Sequence, residues 1–253
     1  MSSSLGRVSK EDMDLERNVC YIDGEEYPLF YAKVLNIICD EEQPVLYFLG
    51  KPGSGKSYAA AKLGYDLHDK LGFNGEFTPE KNIHYDNLEF FEAVRYNGRR
   101  KVQVKEEVDK SLNSLDYNQL ENRKNGNVIS LSRILEVPLI YVGQFMNRGD
   151  KDIKDLHTLR FVPTGGSNSY AFEVYYIDRK EDDPRNEYEK KFLQVWKPSK
   201  PPEKFCNYLD EKDEQWKLDS LEEDIKEVRA DREDEDETES KEDMKEVVEK
   251  ISS

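Results

Sequence analysis

Gly50-Lys51-Pro52-Gly53-Ser54-Gly55-Lys56-Ser57 reads G-x-x-x-x-G-K-S, and its flanks matter as much as the loop. Before it runs Val45-Leu46-Tyr47-Phe48-Leu49, an apolar stretch that predicts a buried strand. After it comes Tyr58-Ala59-Ala60-Ala61-Lys62-Leu63, a composition that favours helix. Glycines at this spacing let the backbone curl so that its N–H groups point inward at phosphate oxygens, above a helix N-terminus. In such a loop Lys56 reaches the β- and γ-phosphates and Ser57 ligates Mg²⁺. The alternative is a glycine-rich turn without a ligand. The order strand, loop, helix instead predicts that residues 50–57 cradle a nucleoside triphosphate, ATP with Mg²⁺.

The chain around this loop has 253 residues, enough for one α/β domain with a sizeable core plus appendages. Its formal charge of −16 is unevenly spread: residues 211–253 carry 19 acidic against 8 basic side chains, so −11 sits there and −5 in all that precedes. No apolar run is long enough to span a membrane, and the first residues lack the core of a signal peptide. Cys20, Cys39 and Cys206 are scattered, with no C-x-x-C pair to suggest zinc or a disulfide framework. The expectation is a cytoplasmic protein in a reducing compartment.

Residues 1–17 are polar and expected to be loose. Between 18 and 41 the pattern predicts a hairpin turning at Asp23-Gly24, then a helix from Phe30 to Cys39 packed beside the strand that precedes the loop. The main domain is expected over 42–210. In it the helix after the loop runs to about Leu71, and Asn82 to Tyr85 reads as a short strand. Asp86 caps a helix with apolar positions Leu88, Phe90, Phe91 and Val94. Lys101 to Lys105 alternates as a strand, and Gln103 and Lys105 predict that one of its faces is wetter. A helix is expected near 125–136, a buried strand over Pro138 to Gly143, a short helix from Asp152 to Arg160, and strands over Tyr170 to Ile177 and Tyr188 to Trp196. Pro198, Pro201 and Pro202 predict an extended exit. The remainder, 211–253, includes Glu233-Asp234-Glu235-Asp236-Glu237 and reads as an acidic, largely disordered tail; the alternative is a segment that binds a basic partner.

Hydrolysis of a γ-phosphate needs an acid near Mg²⁺ and a group that positions water. Glu106-Glu107, at a strand end about 50 residues beyond Ser57, fits both needs. Glu106 would hold the metal's shell and Glu107 would orient the attacking water; the alternative is a pair of exposed acids. Gln144, directly after a buried strand, is placed to contact both γ-phosphate and water, although a lone Gln there can equally be structural. Arg123, Arg133 and Arg160 are candidates for neutralising transition-state charge. His68, His84 and His157 are isolated from one another and predict no metal site.

In this order the motifs resemble the FtsK/HerA-type P-loop ATPases, closest to the small genome-packaging and Zot-like ATPases of viruses and mobile elements. The matching stretches are Gly50 to Ser57, Glu106-Glu107-Val108-Asp109, Ser132 through Arg133 to Gln144, and Asp155-Leu156-His157-Thr158-Leu159-Arg160, so the likeness spans roughly 42–200. Glu106 stands where that group usually has Asp, and Ile134 where a second basic residue is common. The resemblance implies a RecA/ASCE-like, mostly parallel sheet flanked by helices, with the Gln144 strand between the loop strand and the acidic strand. It also implies a homo-oligomeric ring, often a hexamer, that moves double-stranded DNA. Arg160, or else Arg133, would then enter a neighbour's site.

An acidic chain can still track DNA, because a ring pore needs only a few cations per subunit. Lys110, Arg123, Lys124, Arg148 and Lys151 are the candidates. The other reading is a nucleotide-dependent assembly switch that does not translocate DNA, which the acidic balance favours. Small-molecule phosphotransfer is a third, weakened by the want of an arginine-rich lid.

Overall fold

The computed structural model describes residues 7–40, 43–70, 75–96, 101–108, 137–144, 158–165, 170–179, 188–222, 225, 226 and 229. The chain begins with a three-stranded ribbon of β1 (Met13–Asp14), β2 (Val19–Ile22) and β3 (Glu25–Pro28). Its turn is the one predicted: Asp23 and Gly24 take φ of 52° and 82°, the pair of positive values that suits the twist of a two-residue hairpin. Helix α1 (Leu29–Cys39) follows, then β4 (Val45–Leu49), α2 (Lys56–Lys70), α3 (Pro79–Asn82), β5 (Ile83–His84), α4 (Asn87–Tyr96) and β6 (Gln103–Lys105). The remaining strands are β7 (Leu139–Gly143), β8 (Leu159–Pro163), β9 (Phe172–Arg179) and β10 (Tyr188–Trp196).

Seven strands form one sheet in the order β10-β9-β8-β4-β7-β6-β5. Strands β4 to β8 are mutually parallel, and β9 and β10 extend the sheet antiparallel. The centre is β4, whose unbroken apolar run suits a strand covered on both faces. On one face Phe48 stacks on Phe161 at 4.3 Å, and Phe172, Trp196 and Phe30 of α1 close around them. On the other, Val45, Tyr47, Leu139 and Tyr141 pack with Phe90 and Val94 of α4 and with Val108 and Val137. This is the α/β architecture of a P-loop NTPase, with β7 lying between the loop strand and the acidic strand as expected.

Helix α1 lies against β2 and β10, and its Phe30 joins the aromatic cluster of Phe48, Phe161 and Trp196 on one face of the sheet. Three local expectations need correction. Arg160 does not close a short helix. It belongs to β8, where Leu159 and Phe161 alternate into the core and Thr158 Oγ1 bonds both Val45 N and Val45 O at 3.0 Å. Leu88 is exposed, although Asp86 caps α4 as expected by accepting from Leu88 N and Glu89 N. The wetter face of β6 is also absent. Gln103 and Lys105 are both buried, Gln103 paired with His84 Nε2 at 2.8 Å. The helix expected near 125–136 lies outside the described residues.

The chain divides into two units, 1–209 and 210–253. In the first, residues 203–209 are helical; Pro202 O accepts from Phe205 N and Phe205 stacks on Phe77. Within the region from 211 that reads as an acidic, largely disordered tail, residues 211–222 of the second unit are helical, and nearly all that follows lies outside the described residues. Opposite charges spaced one turn apart support them, as in the Lys217–Asp213 pair. Among the described residues no helix is long and apolar enough to cross a membrane.

Candidate functional site

The loop leaves β4 at its C-terminal end and curls through glycines at φ of 151° (Gly50), 75° (Gly53) and 78° (Gly55) before α2 starts at Lys56. Ala59, Ala60, Ala61 and Leu63 are fully buried, so small side chains let α2 lie close on the sheet and aim its N-terminus at the loop. Lys56 is itself buried, and its Nζ donates to Gly50 O at 2.8 Å and Lys51 O at 3.0 Å. The ammonium is thus held over the mouth of the loop by the loop's own carbonyls.

Strand β6 lies two places from β4, roughly 10 Å away at ordinary strand spacing. From its end Glu106 reaches back and accepts a hydrogen bond from Ser57 Oγ at 3.0 Å. The longer acid in place of Asp therefore spans the distance. Burial pushes the Glu106 carboxyl up to about 8. The Ser57 hydrogen bond opposes that shift, nearby Glu107 adds to it, and the Lys56 and Lys105 cations pull the carboxyl down. Its Oε1 is buried without a partner among the described residues, as is Ser54 Oγ in the loop. An orphaned acceptor whose charge burial opposes is what a cation or its water shell would satisfy, and Ser57 with Glu106 forms a hard-oxygen pair suited to Mg²⁺. Glu107 follows on a turn at φ 51° and is half-buried.

Gln144 follows β7, directly past the pair Leu49–Gly143, and so sits level with the start of the loop. Arg160 lies on the other side of β4, paired in register with Tyr47 and half-buried, within the strand rather than at its end. Arg133 and the candidate DNA contacts Lys110, Arg123, Lys124, Arg148 and Lys151 fall outside the described residues, as does His157. His68 and His84 serve the core: His68 Nε2 accepts from Val102 N at 2.8 Å, and burial holds both imidazoles below their ordinary range.

The sequence reading misses the contribution of the β8–β9 hairpin. A Cβ on Gly50 would lie 2.6 Å from Pro163 Cγ, and one on Gly55 would lie 2.6 Å from the Tyr170 ring. The two glycines are needed for close approach as well as for positive φ, and no local pattern marks Tyr170. Gly53→Ala, with φ positive but nothing within 4 Å, should cost about 1–2 kcal/mol of backbone strain. Gly55→Ala should cost a further ~1–3 kcal/mol, because it must also displace the Tyr170 ring. Denaturant midpoints of the two variants check this; equal losses would show that the hairpin does not press on the loop.

No protein-family model matches the sequence, and no curated protein does. Solved structures similar to this chain include the N-terminal domain of zonular occludens toxin from Neisseria meningitidis, at 11% identity and a TM-score of 0.33, covering 60% of this chain and 95% of that one. The genome-packaging NTPase B204 of Sulfolobus turreted icosahedral virus 2, in complex with ATPγS, aligns at 12% identity and a TM-score of 0.31 over 62% of this chain and 98% of its own. The cytoplasmic domain of the type VII secretion ATPase EccC from Thermomonospora curvata aligns at 10% and 0.36, over 62% of this chain and 24% of that one. These likenesses are distant, and the fold assignment rests on the strand order and the loop.

Proposed function

We propose that this chain binds ATP with Mg²⁺ at residues 50–57, hydrolyses it, and works as a homo-oligomeric ring that moves double-stranded DNA. The observation that carries the hydrolytic part is the Ser57–Glu106 hydrogen bond of 3.0 Å with Glu107 next in the chain. It unites the loop and the acidic strand in one site. The N–H groups of the loop and the α2 N-terminus bind the phosphates, and Lys56 exchanges its two carbonyl partners for the β- and γ-oxygens. Ser57 and Glu106 would hold Mg²⁺, which would supply neutralising charge for those oxygens. Glu107 takes the proton of the attacking water or orients it, and Gln144 fixes that water against the γ-phosphate. An arginine from the next subunit, Arg160 or Arg133, stabilises the charge that develops on the transferred group.

The order of loop, carboxylate pair and Gln144 strand supports a motor over a switch. The net charge of −16 supports the alternative, a nucleotide-dependent assembly module without DNA whose acidic C-terminal region binds a basic partner. Mixing separates them. Lys56→Ala subunits combined with Arg160→Ala or Arg133→Ala subunits should regain part of the ATPase activity that each lacks alone, since mixed interfaces pair an intact loop with an intact arginine. Double-stranded DNA should raise turnover. A protein that stays monomeric with ATP, Mg²⁺ and DNA at micromolar concentration, with no rescue at any ratio, is the switch.

A further inference from the structure

Lys105 presents a puzzle that the proposed chemistry leaves unanswered. It is 3% exposed at the end of β6, on the face toward α4, where a leucine or methionine would fill the same space without the cost of desolvating an ammonium. Its Nζ donates to Tyr85 O at 2.7 Å and to Glu106 O at 2.8 Å. One oxygen lies just past the end of β5; the other belongs to the peptide that joins the two carboxylate residues.

That peptide is under constraint. Glu107 has φ 51°, and the other non-glycine residues with positive φ among those described are Asn18 and Asp23, whose short polar side chains tolerate the left-handed region. A glutamate gains no such relief, so the conformation must be imposed by what surrounds it. The Glu106 N–H donates to His84 O at 2.9 Å, and the Glu106 carboxylate is tied to Ser57 at 3.0 Å. Beyond the turn, Val108 is buried in the cluster on the α4 side. The Glu106 carbonyl lies in the peptide plane from which the φ of Glu107 is measured, so fixing that oxygen fixes where the Glu107 rotation starts.

We propose that Lys105 is a positioning residue. Its ammonium staples the end of β5 to the Glu106 carbonyl and holds Glu107 in the left-handed turn that presents its carboxylate to the site. The catalytic half of this inference rests on the reading of Glu107 as the water-activating group; the conformational half does not.

Two measurements keep the halves apart. In the first, Lys105→Met, which keeps length and apolarity but removes the ammonium, should lower kcat about 10²-fold, the scale of a misplaced catalytic group. Its Kd for metal-free ATP should stay within about threefold, since it touches no phosphate ligand. In the second, Glu107→Gly should raise the denaturant midpoint of the otherwise unaltered chain, because glycine adopts positive φ without strain. In the Lys105→Met background the same change should give no rise, because Glu107 has already relaxed. Should Lys105→Met fail to fold, Lys105→Gln, too short to reach both carbonyls, carries the same comparison. An equal midpoint rise in both backgrounds overturns the staple. A lost staple with kcat unchanged overturns the positioning role. If the unaltered protein hydrolyses no ATP, the proposed function fails while the midpoint comparison still decides what Lys105 holds.

Discussion

Lys56→Ala is expected to weaken ATP binding by at least about 10²-fold and to leave the fold intact. The affinity follows from the bonds exchanged: charge-assisted hydrogen bonds contribute about 1.5–3 kcal/mol each, and Lys56 would make two of them to phosphate oxygens. That the fold survives follows from its surroundings. Lys56 is the first residue of α2, where a cation is opposed by the helix dipole, so its removal relieves a small repulsion. Its present partners, Gly50 O and Lys51 O, belong to a loop whose residues 51–53 are exposed, and water can replace the ammonium there. Titration calorimetry with ATP and Mg²⁺, beside a thermal melt of the same sample, measures both. Unchanged affinity would remove the nucleotide from the reading altogether. A large fall in melting temperature would instead make Lys56 a structural strut.

What could be read from the chain alone follows from how local each signal is. Val45 to Leu49 announces a strand covered on both faces because each residue in the run is apolar, and the Asp23-Gly24 hairpin and the Asp86 cap declare themselves by residue type at fixed positions. The Ser57–Glu106 contact was within reach because spacing and motif order stand in for geometry. Other features depend on partners far along the chain. Arg160 looked helical from its polar approach, yet β8 exists because Thr158 bridges to Val45, 113 residues away. Gln103 and Lys105 looked wet because alternation reports polarity and cannot report that His84 and two carbonyls wait inside. Tyr170 has no pattern at all; only Gly55 carries its trace, as the absence of a side chain where the ring lies. In the acidic C-terminal region the composition argues against burial and leaves helix undecided. Opposite charges one turn apart, as in the Lys217–Asp213 pair, support a helix there without any burial.

The two carboxylates at the end of β6 should behave differently when each is made neutral. Glu107→Gln is expected to bind ATP with Mg²⁺ about as tightly as the unaltered protein and to hydrolyse it at least about 10²-fold more slowly, the contribution of a positioned base. Glutamine keeps the size and the turn but cannot accept the proton of the attacking water. Glu106→Gln should act earlier. Its carboxylate is buried, bonded to Ser57 Oγ, and bears an Oε1 with no partner among the described residues, so the loss falls on Mg²⁺. The Mg²⁺ concentration needed for half-maximal turnover should rise, while binding of metal-free ATP changes little. Single-turnover hydrolysis and a Mg²⁺ titration separate the two effects. The opposite result, with turnover lost in Glu106→Gln at saturating Mg²⁺ and nearly normal in Glu107→Gln, would mean that the water is activated from the Ser57-bonded carboxylate. The left-handed turn at Glu107 would then present a side chain with no part in the reaction.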